Sequence, residues 1–219
     1  MIMEMIETMD DLYQRIQDTG FLPLFRNDIP GFSVEEHTDP RIWFAKDAEG
    51  PWEWKGPLVK TGNVLYGKFF ENKCAFISKE WFGDFMNYRR DGYDFEGRFN
   101  DHLASTKEKD VLHIVEEHPD ILSVNIRELA GSLKGVDGVL TKLMMKCYLV
   151  NSDFSYRQTK DGRSYGWGIA RYSTPEQLLG EDYVNEAYKR SPEESKNRIL
   201  NHLSNLYAVS KDEIEKILG

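Results

Sequence analysis

The sequence of 219 residues has little cysteine and no long apolar run, and each shortage excludes a class of protein. The two cysteines, Cys74 and Cys147, are too few for the disulfide framework of a small secreted domain, so we expect free thiols. No stretch approaches the roughly 20 apolar residues of a membrane-spanning helix. The first eleven residues include four acidic ones, unlike the basic start of a signal peptide. We therefore expect a cytoplasmic protein with no membrane partner.

Motifs for metals, nucleotide cofactors and hydrolytic triads are also missing. His113 and His118 are five residues apart and fall on different faces of a helix, while the other three histidines are scattered without cysteines at ligand spacing. The glycines of SYGWGIA alternate in a predicted strand, so they do not form a phosphate-binding loop. No strand-turn-helix nucleophile elbow is present. We expect neither a metal site nor a cofactor.

Positive charge is in deficit as well, since 28 Lys and Arg face 37 Asp and Glu, a formal net charge of −9. Non-specific affinity for nucleic acid comes mainly from cationic contacts with phosphate, so this chain should not coat nucleic acid indiscriminately. Any such contact must be local. The length fits about one or two domains that bury roughly 70% of the unfolded surface.

What the sequence does contain is a run from Lys107 to Gly180 that predicts three helices followed by a hairpin. The first helix lies in KEKDVLHIVEEHPDIL, whose apolar residues fall mostly on one face; Asp110 is placed to cap its first turn and Pro119 to end it. A short second helix, SVNIRELAG, begins at Ser123 and stops at Gly131.

The third helix and the hairpin complete the pattern. GVDGVLTKLMMKCYLV places Val136, Leu140, Leu143 and Cys147 on one side of a helix and leaves lysines on the remaining surface. The extended runs YLVNSDFSYRQT and SYGWGIARYST follow, joined by Lys-Asp-Gly-Arg at residues 160–163, a strong hairpin signal. This order is that of a winged helix.

A winged helix favours contact with nucleic acid through its third helix and wing, although many winged helices dock proteins. Within residues 134–173, seven Lys and Arg face three Asp, a local net charge of +4. We therefore expect double-stranded DNA as the partner, with Lys142, Lys146, Lys160 and Arg163 as the DNA-binding residues. The alternative is that these residues are ordinary solvated surface.

The whole chain predicts an α+β fold in three parts. Residues 1–104 form a mixed N-terminal region, a candidate degenerate winged helix or an irregular cap. Residues 105–180 form the winged helix-turn-helix domain, and residues 181–219 form a C-terminal helical extension.

Local patterns in the first part are uneven. Residues 1–26 predict a helix that ends at Gly20 and is followed by a proline-containing turn, with Leu12 and Ile16 as a core stripe. Residues 27–62 are rich in proline, glycine and aromatic residues and predict a long loop.

The segments on either side of the winged helix have clearer signals. Residues 63–78 predict two strands around residues 71–73, followed by a helix that begins at Ser78. Two amphipathic helices near the C-terminus are each opened by a serine, Ser191 and Ser210.

The predicted helix after Ser78 ends in two cations, Arg89 and Arg90. These side chains are candidates for phosphate contacts, or they stabilise the C-terminus of the helix. Nearby aromatic residues are better explained as a hydrophobic core than as a platform for stacking bases: Tyr66, Phe69, Phe70, Trp81, Phe82 and Phe85.

The run KFFENKCAFISKEWFGDFMNYRR, from Lys68 to Arg90, is similar to a segment of AlkZ-type DNA glycosylases in which a strand with an aromatic pair leads to a helix ending in Tyr-Arg-Arg. Together with DPRIWF at residues 39–44 and GPWEWKGP at residues 50–57, it makes the chain resemble the AlkZ-related proteins. The resemblance covers roughly residues 33–180.

That resemblance implies a protein built from winged-helix units, related to enzymes that excise alkylated or crosslinked bases. Those enzymes have a Gln-x-Gln or Gln-x-Asp pair that positions water and supports the cationic sugar. The four glutamines of this chain do not form such a pair. The resemblance therefore favours a DNA-binding relative that lacks the catalytic motif.

Two other functions stay open on the sequence. One is a DNA glycosylase with a substituted catalytic acid, for which Glu53 between Trp52 and Trp54 is the best candidate. If that segment is extended, however, both tryptophans lie on one face and Glu53 on the other, where it would pair with a Lys or Arg. The other function is a protein-protein interaction module, which the acidic net charge favours.

Overall fold

The structure is mixed α+β. A computed structural model describes residues 5–43, 49–160 and 164–219, without the side chains of residues 158, 164, 165 and 167. The helices are α1 (Met9–Thr19), α2 (Pro51–Lys60), α3 (Lys79–Arg90), α4 (Phe95–Asn100), α5 (Thr106–Glu117), α6 (Ser123–Leu129), α7 (Val136–Met145), α8 (Pro175–Leu179), α9 (Glu181–Ala187), α10 (Pro192–Tyr207) and α11 (Lys211–Leu218). The strands are β1 (Phe21–Pro23), β2 (Val64–Phe70), β3 (Lys73–Ser78), β4 (Ile121–Leu122), β5 (Val150–Gln158) and β6 (Ser164–Ser173).

Among the described residues, six strands form one antiparallel sheet in the order β1-β3-β2-β5-β6-β4. Strands β2 and β3 make the predicted hairpin, with Glu71 and Asn72 at its turn in conformations of positive φ. The second hairpin, β5–β6, joins the first through the pair Tyr66–Asn151. Strands from the N-terminal region and from residues 105–180 therefore share one sheet.

Apolar clusters cover both faces of this sheet. Neighbouring residues of a strand point to opposite faces, and Leu65 packs in a cluster with α3, α10 and α11, whereas Tyr66 packs with α1 and α2. A third cluster lies beneath α5, α6 and α7. Because the cross-strand partners Phe154 and Ala170 pack against the second and third clusters, these two clusters adjoin on one face.

The N-terminal helix is confirmed, but the segment after it is not the expected turn. Helix α1 ends at Gly20, where φ is +77°, and Leu12 and Ile16 are buried as predicted. The next three residues form β1, which pairs with β3 from Phe21 opposite Ile77 to Pro23 opposite Ala75. A three-residue strand is too short to show a period, and its stability comes from a partner distant in sequence.

Residues 51–60 form helix α2, so the prediction of a continuous loop over residues 27–62 is wrong for this part. Pro51 occupies the first turn, where its missing N–H costs nothing. The carboxylate of Glu53 accepts the Gly50 N–H at 3.1 Å and so caps the helix. Trp54 and Leu58 then pack into the cluster beneath α1 and α2.

The predicted order of three helices and a hairpin is present, with differences at the boundaries. Helix α5 is capped by Ser105, whose hydroxyl accepts the Glu108 N–H, rather than by Asp110. Ile121 and Leu122 do not extend that helix; they form β4 and pair with Tyr172 and Arg171 of β6.

The expected free thiols are found, and Cys147 is buried. It lies just after α7, at φ +58°, rather than on the helix itself.

The remaining predictions about packing hold. The aromatic residues expected in the core are buried or packed against it: Tyr66, Phe69, Phe70, Trp81, Phe82 and Phe85. Ser191 and Ser210 cap α10 and α11, and the short helices α8 and α9 precede them. Within the described ranges, no helix has both the length and the apolar composition needed to cross a membrane.

Candidate nucleic-acid interface

A concave cavity of about 600 Å³, called the groove below, lies between helices α6 and α7 and the β5–β6 hairpin. Its walls combine apolar, hydroxyl and charged side chains from five elements. The lining residues from β2, α6, α7 and the hairpin include Lys68, Ser123, Val124, Arg127, Asp137, Leu140, Thr141, Arg157, Gly168, Ala170 and Tyr172.

Helix α7 forms one wall of the groove because its opposite face is fixed in the core. Val136, Val139 and Leu143 are buried beneath it with residues of α5. Thr141 then faces the groove, where its hydroxyl accepts a hydrogen bond from Lys68 Nζ at 3.3 Å. A cation of the N-terminal region is thereby held against α7.

The hairpin side of the groove depends on Gly168. A Cβ at this position would lie 2.9 Å from Cζ of Tyr156, so the glycine leaves room for the ring. The Tyr156 hydroxyl reaches the Trp52 carbonyl at 3.5 Å, at the limit of a hydrogen bond. Burial and the nearby Glu53 carboxylate raise the pKa of Tyr156 to about 12, so the hydroxyl stays a donor at neutral pH.

The charges that line the groove are mostly positive. Lys68 is half-buried, and Arg157 is exposed on β5. Arg127 of α6 donates from Nε and Nη2 to Asp137 Oδ1 of α7, at 3.1 and 2.7 Å. Of the described lining residues, Asp137 alone is acidic.

The structure places the predicted DNA-binding residues in different surroundings. Lys142 is exposed on α7, Lys160 is exposed two residues after the end of β5, and Arg163 lies outside the described residues. Lys146 is half-buried and lines a second cavity of about 450 Å³ together with Arg89. Burial lowers the pKa of Lys146, and the neighbouring guanidinium groups of Arg89 and Arg98 lower it further.

The two arginines at the end of α3 are inside the protein. Arg89 donates from Nε to the Met145 carbonyl and from Nη1 to the Leu218 carbonyl, both at 2.8 Å. Arg90 is 1% exposed, donates to Glu176 Oε1 at 2.7 Å and lies over the Tyr148 ring. This burial favours the structural alternative for both arginines over contact with phosphate.

Glu53 caps α2, and the expected ion pair with a Lys or Arg is not found among the described residues. Its helical setting also removes the alternating geometry expected for Trp52 and Trp54. Trp54 is 5% exposed and belongs to the core, whereas Trp52 is half-buried.

The next residue, Lys55, is a buried cation that the sequence gives no signal for. It is 2% exposed, and Nζ donates to the Trp52 carbonyl while lying 3.9 Å from the centroid of the Trp52 ring and 4.5 Å from that of Phe154. Burial lowers the pKa of its ammonium to about 8.

Fold and groove together define an α+β protein with a cation-lined cleft between a helix pair and a β-hairpin. A family model described as AlkZ related matches residues 6–219, and the chain belongs to that family. The match extends the resemblance, seen in the sequence over residues 33–180, to both terminal helical regions. No curated protein and no solved structure matches the chain. Membership indicates a relative of DNA glycosylases or of DNA-binding proteins.

Proposed function

We propose that residues 105–180 form a winged helix that binds double-stranded DNA, with α7 as the recognition helix and the β5–β6 hairpin as the wing. The order α5, β4, α6, α7, β5, β6 and the pairing of β4 with β6 support this assignment. Membership in the AlkZ-related family supports DNA as the partner. Under this proposal residues 1–104 and 181–219 flank the winged helix and share its sheet or its core.

The observation that carries the proposal is a set of exposed cations in and next to the groove of an acidic protein. Lys142, Arg157 and Lys160 are exposed, and no hydrogen bond or ion pair to another described residue holds them. Arg157 lines the groove, Lys142 follows the lining residue Thr141, and Lys160 lies three residues beyond Arg157. A cluster of exposed cations on a helix and a neighbouring hairpin is typical of phosphate contact, whereas cations serving only solubility are commonly dispersed among acids. We assign phosphate contacts to these three residues and to Arg163.

Lys146 has a smaller role in this proposal. It lines the second cavity and is half-buried, and its pKa is lowered first by burial and then by the neighbouring arginines. Arg89 and Arg90 have none, because their guanidinium groups are satisfied by carbonyl groups and by Glu176.

The proposal concerns binding and not base excision. The chain lacks the glutamine pair of the AlkZ-type enzymes, and the carboxylate of Glu53 is occupied in capping α2. A protein-docking role is the competing outcome, since the winged-helix order alone does not select a partner.

Fluorescence anisotropy with a labelled duplex, titrated at several salt concentrations, tests the proposal. We expect salt-sensitive binding, and the variant K142A/R157A should bind more weakly and reduce the slope of log K against log salt by about 2, because each phosphate contact releases about one counterion. The matched control is K211A, at the start of α11 on the opposite face of the sheet, which should behave as the wild type.

Two outcomes contradict this assignment. An unchanged salt slope in K142A/R157A would remove the groove as the DNA site. No binding at low salt would favour protein docking. The same titrations on alkylated duplex, followed by an assay for abasic sites, test the catalytic alternative. We expect no excision of bases. If the wild type produces abasic sites and E53Q does not, Glu53 is a catalytic residue.

A further inference from the structure

The cations of the groove differ in one respect. Among the lining cations, Arg157 has no partner within the described residues and Lys68 donates to a neutral hydroxyl, that of Thr141, whereas Arg127 is held by the carboxylate of Asp137. That acid is the exception in a wall otherwise lined by cations, hydroxyl groups and apolar residues. A carboxylate inside a cleft that binds phosphate repels the phosphate group, so its presence there calls for a role in binding.

The ion pair between Arg127 and Asp137 is weak enough for a phosphate group to displace the carboxylate. Their side chains are 46% and 72% exposed, and an ion pair in such surroundings contributes only about 0–1 kcal/mol. Arg127 uses Nε and Nη2 on a single carboxylate oxygen, Oδ1. The same two donors can bind two oxygens of a phosphate side by side, which is the stronger arrangement.

We propose that Arg127 is a further phosphate-binding residue of the groove, and that Asp137 competes with DNA phosphate for its guanidinium group. This inference rests on the proposed function and deepens it. In the free protein Asp137 holds Arg127 in place between α6 and α7. On binding, a backbone phosphate replaces the carboxylate, and the chain's own acid thereby limits affinity for any DNA that does not place a phosphate at this position.

The test is a double-mutant cycle of D137N and R127A, with E128Q as the matched control. Glu128 is the exposed neighbour of Arg127 on α6, so E128Q removes the same charge without touching the pair. In duplex titrations D137N should tighten binding by roughly 3- to 10-fold and steepen the salt dependence by about one counterion. In the R127A background the same substitution should change the dissociation constant by less than about 2-fold.

Simple charge repulsion gives a different result. If D137N tightens binding equally with and without Arg127, or if E128Q has the same effect, the exchange is overturned. Thermal melting of each variant checks that it is folded, which we expect because both side chains are at the surface.

A second polyanion separates this inference from the proposed function. If no variant binds duplex, the DNA-binding function fails, and the exchange is then decided by elution from heparin. Elution of D137N at higher salt than the wild type, with no such shift in the R127A background, would support the exchange on its own. Identical elution of the wild type and D137N would overturn it.

Discussion

At the scale of single residues, Lys55 shows how this protein accommodates a charge in its interior. Within the described part of the chain, its ammonium has one carbonyl acceptor, that of Trp52, and two aromatic faces, those of Trp52 and Phe154. Ring faces attract a cation but replace water incompletely, so the charged form is disfavoured relative to the unfolded chain. The pKa of about 8 reflects this burial.

A pH-dependent contribution to stability follows from Lys55. The folded pKa is about 8 and the unfolded value near 10.4, so between these values the unfolded chain binds the extra proton and stability rises with pH. Below pH 8 both states are charged and the cost of burial is present in full. K55M should therefore be more stable than the wild type at pH 7, by roughly 1–3 kcal/mol.

Urea unfolding of K55M and the wild type from pH 7 to pH 10.5 checks this expectation. The difference in unfolding free energy should shrink as pH rises, because only the wild type gains stability from losing this proton. Parallel pH profiles would show that the Lys55 ammonium is not penalised in the folded protein.

Residue roles were harder to predict than residue burial. The stripe of Leu12 and Ile16 is visible in the sequence because its period is local. The interior position of Arg90 is not, because it depends on Glu176, 86 residues away. A Tyr-Arg-Arg ending looks the same in sequence whether it meets phosphate or the protein's own carbonyl groups.

At the scale of elements, the sequence predicts what has a local signal. The β2–β3 hairpin follows from its turn residues, and α10 and α11 follow from the caps Ser191 and Ser210. The sequence also predicts the β5–β6 hairpin and the start of α3 after Ser78, although the Ser78 hydroxyl makes no capping hydrogen bond to a described residue. The misassigned elements either are too short to show a period, as β1 is, or have local signals that conflict, as α2 has. Helix α2 contains two prolines and a glycine, and it forms because a capping interaction and burial of Trp54 outweigh them.

Part of the groove has a local signal in the sequence. The third helix and the β5–β6 hairpin are local features, and so is their excess of cations. Lys68 and Arg127 were not predicted, since they reach the groove only when the sheet brings β2 beside the hairpin and α6 beside α7.

Gly20 controls the connection between α1 and β1. Its φ of +77° is unfavourable for other residues, and a Cβ would lie 2.4 Å from Cδ1 of Trp81. We expect G20A to lose roughly 1–3 kcal/mol of unfolding free energy. The matched control is G138A in α7, where nothing lies within 4 Å of the added carbon and alanine should stabilise the helix by up to about 1 kcal/mol. Chemical denaturation of both variants decides, and equal midpoints would contradict the expectation.

At the scale of the whole molecule, Arg90 joins segments that are far apart in sequence. From the end of α3 its guanidinium group binds the Cys147 carbonyl before β5, the carboxylate of Glu176 on α8 and the hydroxyl of Tyr188 after α9. The core, the hairpin and the C-terminal helices therefore meet at one buried side chain.

R90M should destabilise the entire fold rather than one part of it. It leaves the Cys147 carbonyl and the Tyr188 hydroxyl without their donor, and the expected loss is about 2–4 kcal/mol, since Glu176 is partly hydrated. Tryptophan fluorescence and far-UV circular dichroism should shift together in urea unfolding. Separate transitions would indicate that the regions joined by Arg90 unfold independently.

The single pair Tyr66–Asn151 between the two hairpins has a mechanical consequence. Asn151 lies near the start of β5, at the base of the second hairpin. The outer half of the described hairpin therefore extends beyond β2 without pairing to it. Side-chain contacts with α2 brace the strand: Asp153 Oδ2 pairs with Lys60 Nζ at 2.8 Å, the centroid of the Phe154 ring lies 4.5 Å from Lys55 Nζ, and the Tyr156 hydroxyl reaches the Trp52 carbonyl at 3.5 Å. A force applied to the outer end of the hairpin must therefore bend the strands beyond Asn151 or break these contacts. If the contacts break, the displacement reaches α2, the helix that buries Lys55.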